Sequence, residues 1–354
     1  MIRRCALFIF VLFFISTLYA ITTVYAGPVN PNISVIGQII SKQTDDAASG
    51  NAGRTSLDLG ETEIQCDAYL NPYAKGVFVF SIDEKGLSTE EAYMTIFKGL
   101  GDGLGMKAGK YRVGFGKINP AHPHTLPFIE SPHVLAAMLP GDDGFNETGA
   151  QLSYLLPFPG SWASTLSADV INGSSFHPNE TKAAAGWVGR WSNSVLINDI
   201  TPLEIGLSAT QGTNNVLWGT KTSVYGADIK TKIPLSAVTK LTLQGEYFAN
   251  DSDIIVDSTT GNFNSASRRG FYAFADMQFW QRWNGGALYE QYNPAENKDL
   301  TNKSIKGFLG YALLEETTLF RLTYEEFIPE GSAVVHTWMF QVLFSMGPHK
   351  AHQY

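Results

Sequence analysis

Apolar and polar residues alternate with period two along much of this chain, as they do on strands whose successive side chains point to opposite faces. From Thr239 to Asn250, Leu241, Leu243, Gly245, Tyr247 and Ala249 share one face, while Lys240, Thr242, Gln244 and Glu246 share the other. The same alternation sets Tyr111, Val113 and Phe115 against Lys110 and Arg112, and Ile64, Cys66 and Ala68 against Glu61, Glu63, Gln65 and Asp67. Late in the chain Phe320, Leu322 and Tyr324 oppose Arg321, Thr323 and Glu325. Trp338, Phe340, Val342 and Phe344 likewise oppose Thr337, Met339, Gln341 and Ser345. One face reads as oily and the other as wet, with Cys66 on the oily side.

These runs predict sixteen strands, near 33–41, 60–69, 75–83, 89–98, 104–117, 149–156, 162–171, 185–193, 201–210, 221–231, 239–249, 269–278, 284–292, 304–313, 317–327 and 335–345. Their lengths suit the ~9–11 residues with which a tilted strand crosses a bilayer. Long polar connections at 42–59, 118–148, 172–184, 211–220, 250–268 and 293–303 are interleaved with short ones, although 84–88 and 194–200 fit the rhythm less well. A secreted β-sandwich also alternates, but its inner faces meet a second apolar sheet, whereas here one face stays polar. The predicted fold class is therefore all-β: a transmembrane antiparallel β-barrel of about 16 strands, with a long third external loop, in the outer membrane of a Gram-negative bacterium.

Composition agrees with a wall facing lipid: 34 glycines in 354 residues, 12 % aromatics and only 16 % charged residues. Tyr69, Tyr73, Trp162, Trp218, Phe279, Trp280 and Trp283 are candidates for the interfacial aromatic girdles. At the N-terminus, Arg3 and Arg4, an apolar run from Cys5 to Ile15 and the small-residue exit Val24-Tyr25-Ala26 follow the order of a secretory signal peptide. The expected domains are thus 1–26 as signal peptide and 27–354 as barrel. Removing Arg3 and Arg4 takes the formal charge from −8 to −10, which disfavours nucleic acid or anionic lipid surfaces as partners. Cys66 is then the one cysteine left, with no internal disulfide and no thiolate metal cluster open to it.

The segment Ile118-Asn-Pro-Ala-His-Pro-His-Thr-Leu-Pro-Phe-Ile-Glu-Ser-Pro-His-Val134 carries three histidines and four prolines. Proline excludes helix and sheet interior here and stiffens the loop, which suits it to narrowing a wide barrel. The expected constriction comprises His122, His124, Glu130, His133, Asp142, Asp143 and Glu147, and the expected charged pore wall Lys110, Arg112, Glu246, Arg321 and Glu325. From Ile118 to Thr148 there is no Lys or Arg, so the acids lean the expected weak selectivity towards cations or neutral solutes. His122, His124 and His133, with Glu130, offer N and O ligands to zinc or another divalent metal. A plainer role for them is to hydrogen-bond the loop to the wall and pack against Phe128. No Gly-x-Ser-x-Gly elbow, His-Glu-x-x-His or phosphate loop occurs, so no enzymatic activity is expected.

The strand Gly109-Lys-Tyr-Arg-Val-Gly-Phe-Gly116, the His-Pro-His loop after it and the closing Phe340-Gln-Val-Leu-Phe-Ser-Met-Gly-Pro-His-Lys-Ala-His-Gln-Tyr354 together resemble bacterial outer-membrane porins, similar in layout to the phosphate-selective porin O and P group. That resemblance implies a homotrimer of barrels, inserted into outer-membrane lipid by the outer-membrane assembly machinery through a terminal aromatic residue, here Tyr354. Phosphate-selective members line their constriction with basic residues; this loop has none, which departs from phosphate transport. The expected function is passive diffusion of small ions or hydrophilic solutes through a weakly selective porin. The alternatives are a zinc-linked uptake or sensing barrel using the His-rich loop, and an outer-membrane enzyme or adhesin.

Overall fold

The computed structural model describes residues 31–83, 86–141, 144–177, 184–294, 299–314 and 317–347. The expected signal peptide, Asp142, Asp143 and Tyr354 lie outside the described residues. The strands belong to the unit that begins at Asn32.

Its strands in chain order are β1 (Asn32–Thr44), β2 (Thr55–Leu59), β3 (Thr62–Asn71), β4 (Ala74–Asp83), β5 (Gly86–Ile96), β6 (Leu104–Arg112), β7 (Asn146–Leu156) and β8 (Ala163–Ile171). There follow β9 (Gly186–Ile197), β10 (Thr201–Asn215), β11 (Thr220–Pro234), β12 (Lys240–Asp257), β13 (Asn262–Trp280), β14 (Trp283–Tyr292), β15 (Asn302–Ala312), β16 (Thr318–Ile328) and β17 (Val335–Met346). β2 and β3 both pair antiparallel with β1, every later strand pairs antiparallel with its neighbours in sequence, and β1 pairs with β17 from Val35↔Met346 to Thr44↔Thr337, which closes the sheet on itself. Closure leaves no unpaired edge, as a bilayer requires.

Seventeen segments make sixteen spans, because β2 and β3 both lie along β1. Between the pairs Ile39↔Leu59 and Ile36↔Glu63 the β2–β3 side carries one residue more than β1, so the break at Gly60 and Glu61 is a bulge that reverses the facing of the odd-numbered residues. Leu57 and Leu59 are exposed, whereas Glu63 and Asp67 are buried. That reversal of parity is why alternation alone reads Thr55–Leu59 as loop.

Two expected long loops are strand instead. β10, β11, β12 and β13 run on past the expected limits, leaving only short turns at 216–219 and 258–261. The fifth expected strand, in contrast, ends at Arg112 and not at Lys117.

Leu207, Tyr225, Ile229, Leu243, Tyr247, Ile305, Leu309, Leu322, Phe340 and Phe344 are exposed on the outside of the wall, forming the apolar surface that lipid covers. Tyr69, Tyr73, Trp162 and Trp280 are exposed near the short-turn end, as expected of an aromatic girdle, and Trp187 and Trp338 hold matching positions near the long-loop end. Cys66 is a free, partly exposed thiol.

Candidate functional site

The connection from Val113 to Phe145 does not project from the barrel. It packs against residues on the inward face of the wall. Phe115, Phe128, Val134, Met138 and Phe145 are fully buried and form one apolar cluster with the wall residues Val188, Val224, Phe248, Tyr272, Phe274, Leu288 and Phe308. Phe128 meets Phe274 and Phe308 edge-on at 5.4 and 5.7 Å, and Phe115 stacks on Phe248 at 6.3 Å. The oily residues Tyr111, Val113 and Phe115, expected to face lipid, are fully buried, so here the usual assignment of faces is inverted. Room for the loop comes partly from wall glycines: a Cβ on Gly226 would lie 2.6 Å from Phe115, and one on Gly270 would lie 2.6 Å from Val134.

Polar anchors surround this cluster. The backbone amides of Lys117 and Ile118 donate to the Glu246 carboxylate of β12 at 2.9 and 2.8 Å, and the Tyr272 hydroxyl donates to the same oxygen. The Val134 amide, in the first turn of the short helix His133–Met138, donates to Glu290 of β14 at 2.8 Å. His133 Nε2 lies 2.7 Å from Glu325 of β16. Arg321 donates to the His124 carbonyl, Lys306 to the Ser131 carbonyl, Asn250 to the Met138 carbonyl and Arg268 to the Ala137 carbonyl. Lys42 of β1 pairs with Glu130 at 2.8 Å. Asn119 ties the ends of the loop together, its amide donating to the Val113 and Phe145 carbonyls while its oxygen accepts from the Phe145 amide. With anchors on β1, β3, β5 and β12 through β16, the loop spans the lumen.

This placement changes several expected roles. Glu246, Arg321 and Glu325 face inward as expected and hold the loop; Glu246 and Glu325 are buried beneath it, whereas Arg321 also borders an open space on its far side. Lys110 and Arg112 remain beside an open space. Glu130 is neutralised by Lys42, and Glu147 belongs to β7, where it accepts from the Gly173 amide, the Ser175 amide and the Ser174 hydroxyl. The described acids therefore do not ring a constriction. His133 is also separated from the other two histidines: it joins Glu290 and Glu325, whereas His122 and His124 join Glu63. His122 and His124 stack on each other at 5.6 Å, and His133 lies 5.2 Å from Phe327, while Phe128 packs against Phe274 and Phe308.

His122 sits among acids. Its Nδ1 lies 3.2 Å from Glu63 and 3.6 Å from Glu90, and its Nε2 lies 3.2 Å from Glu91. Glu90 and Glu91 are adjacent in sequence yet both are buried, because a bulge in β5 leaves Glu90 without a partner where Val79 pairs with Glu91 and Phe80 with Thr89. Arg112 pairs with Glu90 through the other carboxylate oxygen. Burial opposes charge on the His122 ring, but the carboxylates of Glu63, Glu90 and Glu91 outweigh it and raise the imidazole well above its ordinary value. Alternation places Glu63 on the polar face of its strand and does not single out Glu90 and Glu91, for which two consecutive acids inside a strand are the available signal.

Three spaces follow one another along the loop. A vestibule of about 830 Å³ lies between the loop and the wall of β4 to β6, bordered by Glu61, Asp83, Glu90, Lys110 and Arg112. It shares Ile118 and Ala121 with a neck of about 90 Å³, bordered also by Lys117, Thr125, Lys230, Thr242, Gln244 and Asp276. The neck shares Pro127, Thr242 and Asp276 with a lower vestibule of about 540 Å³ beside Lys232, Lys240, Arg282 and Arg321.

No family model matches the chain. A relative in Aquifex aeolicus, an uncharacterized protein, is 26 % identical over 341 residues, covering 85 % of this chain and 71 % of its own. Among solved structures, the outer-membrane channel DcaP of Acinetobacter baumannii superposes with a TM-score of 0.62 at 10 % identity, over 91 % of this chain and 98 % of that one. An anion-selective porin from Comamonas acidovorans gives 0.61 at 10 % identity, over 90 % and 100 %. OmpT of Vibrio cholerae in trimer form, an outer membrane protein, gives 0.57 at 8 % identity, over 89 % and 99 %. The chain is a closed sixteen-span transmembrane β-barrel of the architecture found in outer-membrane porins and channels.

Proposed function

We propose that this protein is an outer-membrane porin, a passive pore for small ions and hydrophilic solutes whose width is set by the loop between β6 and β7. The observation that carries this reading is the run of three spaces with shared borders, from the upper vestibule through the neck to the lower vestibule. A neck of about 90 Å³ has room for only a few waters, so it suits small hydrated solutes.

The charge along this path differs from that of the loop alone. Lys230, Lys232, Lys240, Arg282 and Arg321 border the neck and lower vestibule, with Lys117 there paired to Glu204, against Asp276 among the described acids lining them. Cations fixed beside a narrow path favour anions, so the proposed weak selectivity leans to anions, the reverse of what the loop acids suggest. Kinship with the phosphate-selective O and P group is compatible with a basic path, but here the wall supplies most of the cations. The trimeric state recorded for OmpT, insertion by the assembly machinery and an exported precursor complete the proposal. Catalysis has no part in it.

Purified protein in a planar bilayer tests this reading. Discrete conductance steps that scale with salt are expected, with a reversal potential of anion-selective sign under a potassium chloride gradient. A silent membrane would refute the pore, and a cation-selective sign would refute the assignment of the neck.

A further inference from the structure

The cluster between the loop and the walls of β3 and β5 has a feature that loop anchoring leaves unexplained. Glu90 Oε2 and His122 Nδ1 are both buried and face each other at 3.6 Å without a hydrogen bond, and the 3.2 Å approach of Nδ1 to Glu63 Oε2 is an ion pair without hydrogen-bond geometry. Glu90 is only 8 % exposed. An anchor made only of hydrogen bonds would pair these atoms, since an unpaired buried polar group costs about 1–3 kcal/mol. The bulge in β5 that directs Glu90 inward is a local irregularity of the kind that re-aims a side chain into a site.

We propose that Glu63, Glu90, His122 and His124 form a binding site for a divalent transition-metal ion, with zinc as its type, which clamps the first half of the loop to the wall. Tetrahedral coordination with bonds of about 2.0–2.2 Å places neighbouring ligand atoms about 3.3–3.6 Å apart. His122 Nδ1 lies 3.2 Å from Glu63 Oε2 and 3.6 Å from Glu90 Oε2, and His124 Nδ1 lies 3.0 Å from Glu63 Oε1. Ligand atoms of Glu63, His122 and His124 all fall within 4.8 Å of one another.

The surroundings support the same reading. A metal-bound histidine usually donates its other ring N–H to a carboxylate, which fixes the tautomer, and His122 Nε2 lies 3.2 Å from Glu91. A metal ion takes the place of the Nδ1 proton that these carboxylates favour: with Nε2–H kept towards Glu91, the freed Nδ1 lone pair meets the carboxylates of Glu63 and Glu90 across the ion. Glu61, Glu63, Glu90 and Glu91 gather here, with Arg112 paired to Glu90 and Arg321 turned to the His124 carbonyl, so that carboxylates outnumber the nearby guanidinium groups. Nitrogen and oxygen donors without thiolate suit zinc and its neighbours better than magnesium, which prefers oxygen alone. Glu90 also borders the upper vestibule, so an ion reaches the site from the long-loop end.

The binding claim is independent of the porin reading. Its consequence, a steadier loop and a quieter open channel, rests on that reading. The chelator-treated full-length barrel is titrated with zinc chloride by calorimetry, alongside His122→Ala, Glu90→Gln, Glu91→Gln and the distant His336→Gln, with folding checked by heat-modifiable gel migration. One zinc per chain is expected for the wild type and for His336→Gln. A loss of tight binding is expected in His122→Ala, a weakening in Glu90→Gln, and about 10- to 100-fold weaker binding in Glu91→Gln. Absence of stoichiometric zinc binding by the wild type, or equal affinity in folded His122→Ala, would overturn the site. In the bilayer, zinc added on the long-loop side is expected to reduce open-channel noise in the wild type but not in His122→Ala. Stoichiometric binding with a silent membrane would sustain the site and remove the pore, whereas conducting channels that bind no zinc would do the reverse.

Discussion

Glu246 is the residue on which the start of the loop depends most directly. Its buried carboxylate accepts the two loop amides of Lys117 and Ile118 and the hydroxyl of Tyr272, so Glu246→Ala strands three donors at about 1–3 kcal/mol each, with some relief from water. The expected outcome is faster protease cleavage between Gly116 and Gly144 in the folded barrel, with Glu246→Gln intermediate because it keeps an acceptor oxygen. Gly116 makes the same point through the backbone. Its φ of +65° lies in the left-handed region, and a Cβ there would come within 1.9 Å of Glu246 Oε2. Gly116→Ala should therefore loosen the loop as Glu246→Ala does, and unchanged cleavage in both would remove this contact from the account. Sequence reading identified Glu246 as inward-facing, since it alternates with Leu243 and Tyr247. It did not reveal that the charge would be covered, because burial there depends on a segment more than a hundred residues away.

At the scale of elements, most strands were legible because the bilayer and the lumen impose opposite polarity on successive residues. Reading failed where that pressure changes. Thr55–Leu59 escaped because the bulge at Gly60 and Glu61 reverses facing, and Val113 to Lys117 was assigned to a strand because its apolar residues keep period two while packing inside. The loop's destination was nevertheless written on the wall. Val224, Phe248, Phe274, Leu288 and Phe308 are apolar residues on a face that carries many polar ones, and they receive the loop's aromatic and aliphatic side chains. Phe128 is the centre of that contact. Phe128→Ala removes a fully buried ring and should destabilise the docked loop by about 3–5 kcal/mol, read as local opening by hydrogen exchange across 113–145 while the wall strands stay protected. Equal loss of protection in loop and wall would mean that loop and barrel unfold as one unit.

For the whole molecule, the proposed selectivity follows the charges along the path and not the loop's composition. The loop's described acids are paired or lie in a strand, and the basic residues of the neck and lower vestibule come from β11, β12 and β16 as well as from Lys117. Lys230→Glu exchanges one neck cation for an anion and should move the reversal potential towards cation selectivity; no movement would place the controlling charges elsewhere. The histidine pair and its acids show a similar gap between sequence and assembly. His122 and His124 were visible as a candidate metal pair, but Glu63, Glu90 and Glu91 join them only because β3 and β5 meet the loop inside the closed barrel.

The central claim is that a loop docked within a sixteen-span barrel sets the width of a passive pore. Its most direct test is the single-channel conductance of the wild type beside a variant in which residues 118–141 are replaced by a short Gly-Ser linker. The account predicts small, salt-proportional steps for the wild type and severalfold larger steps for the shortened loop. Equal conductance in the two, or a membrane that stays silent with both, would contradict it.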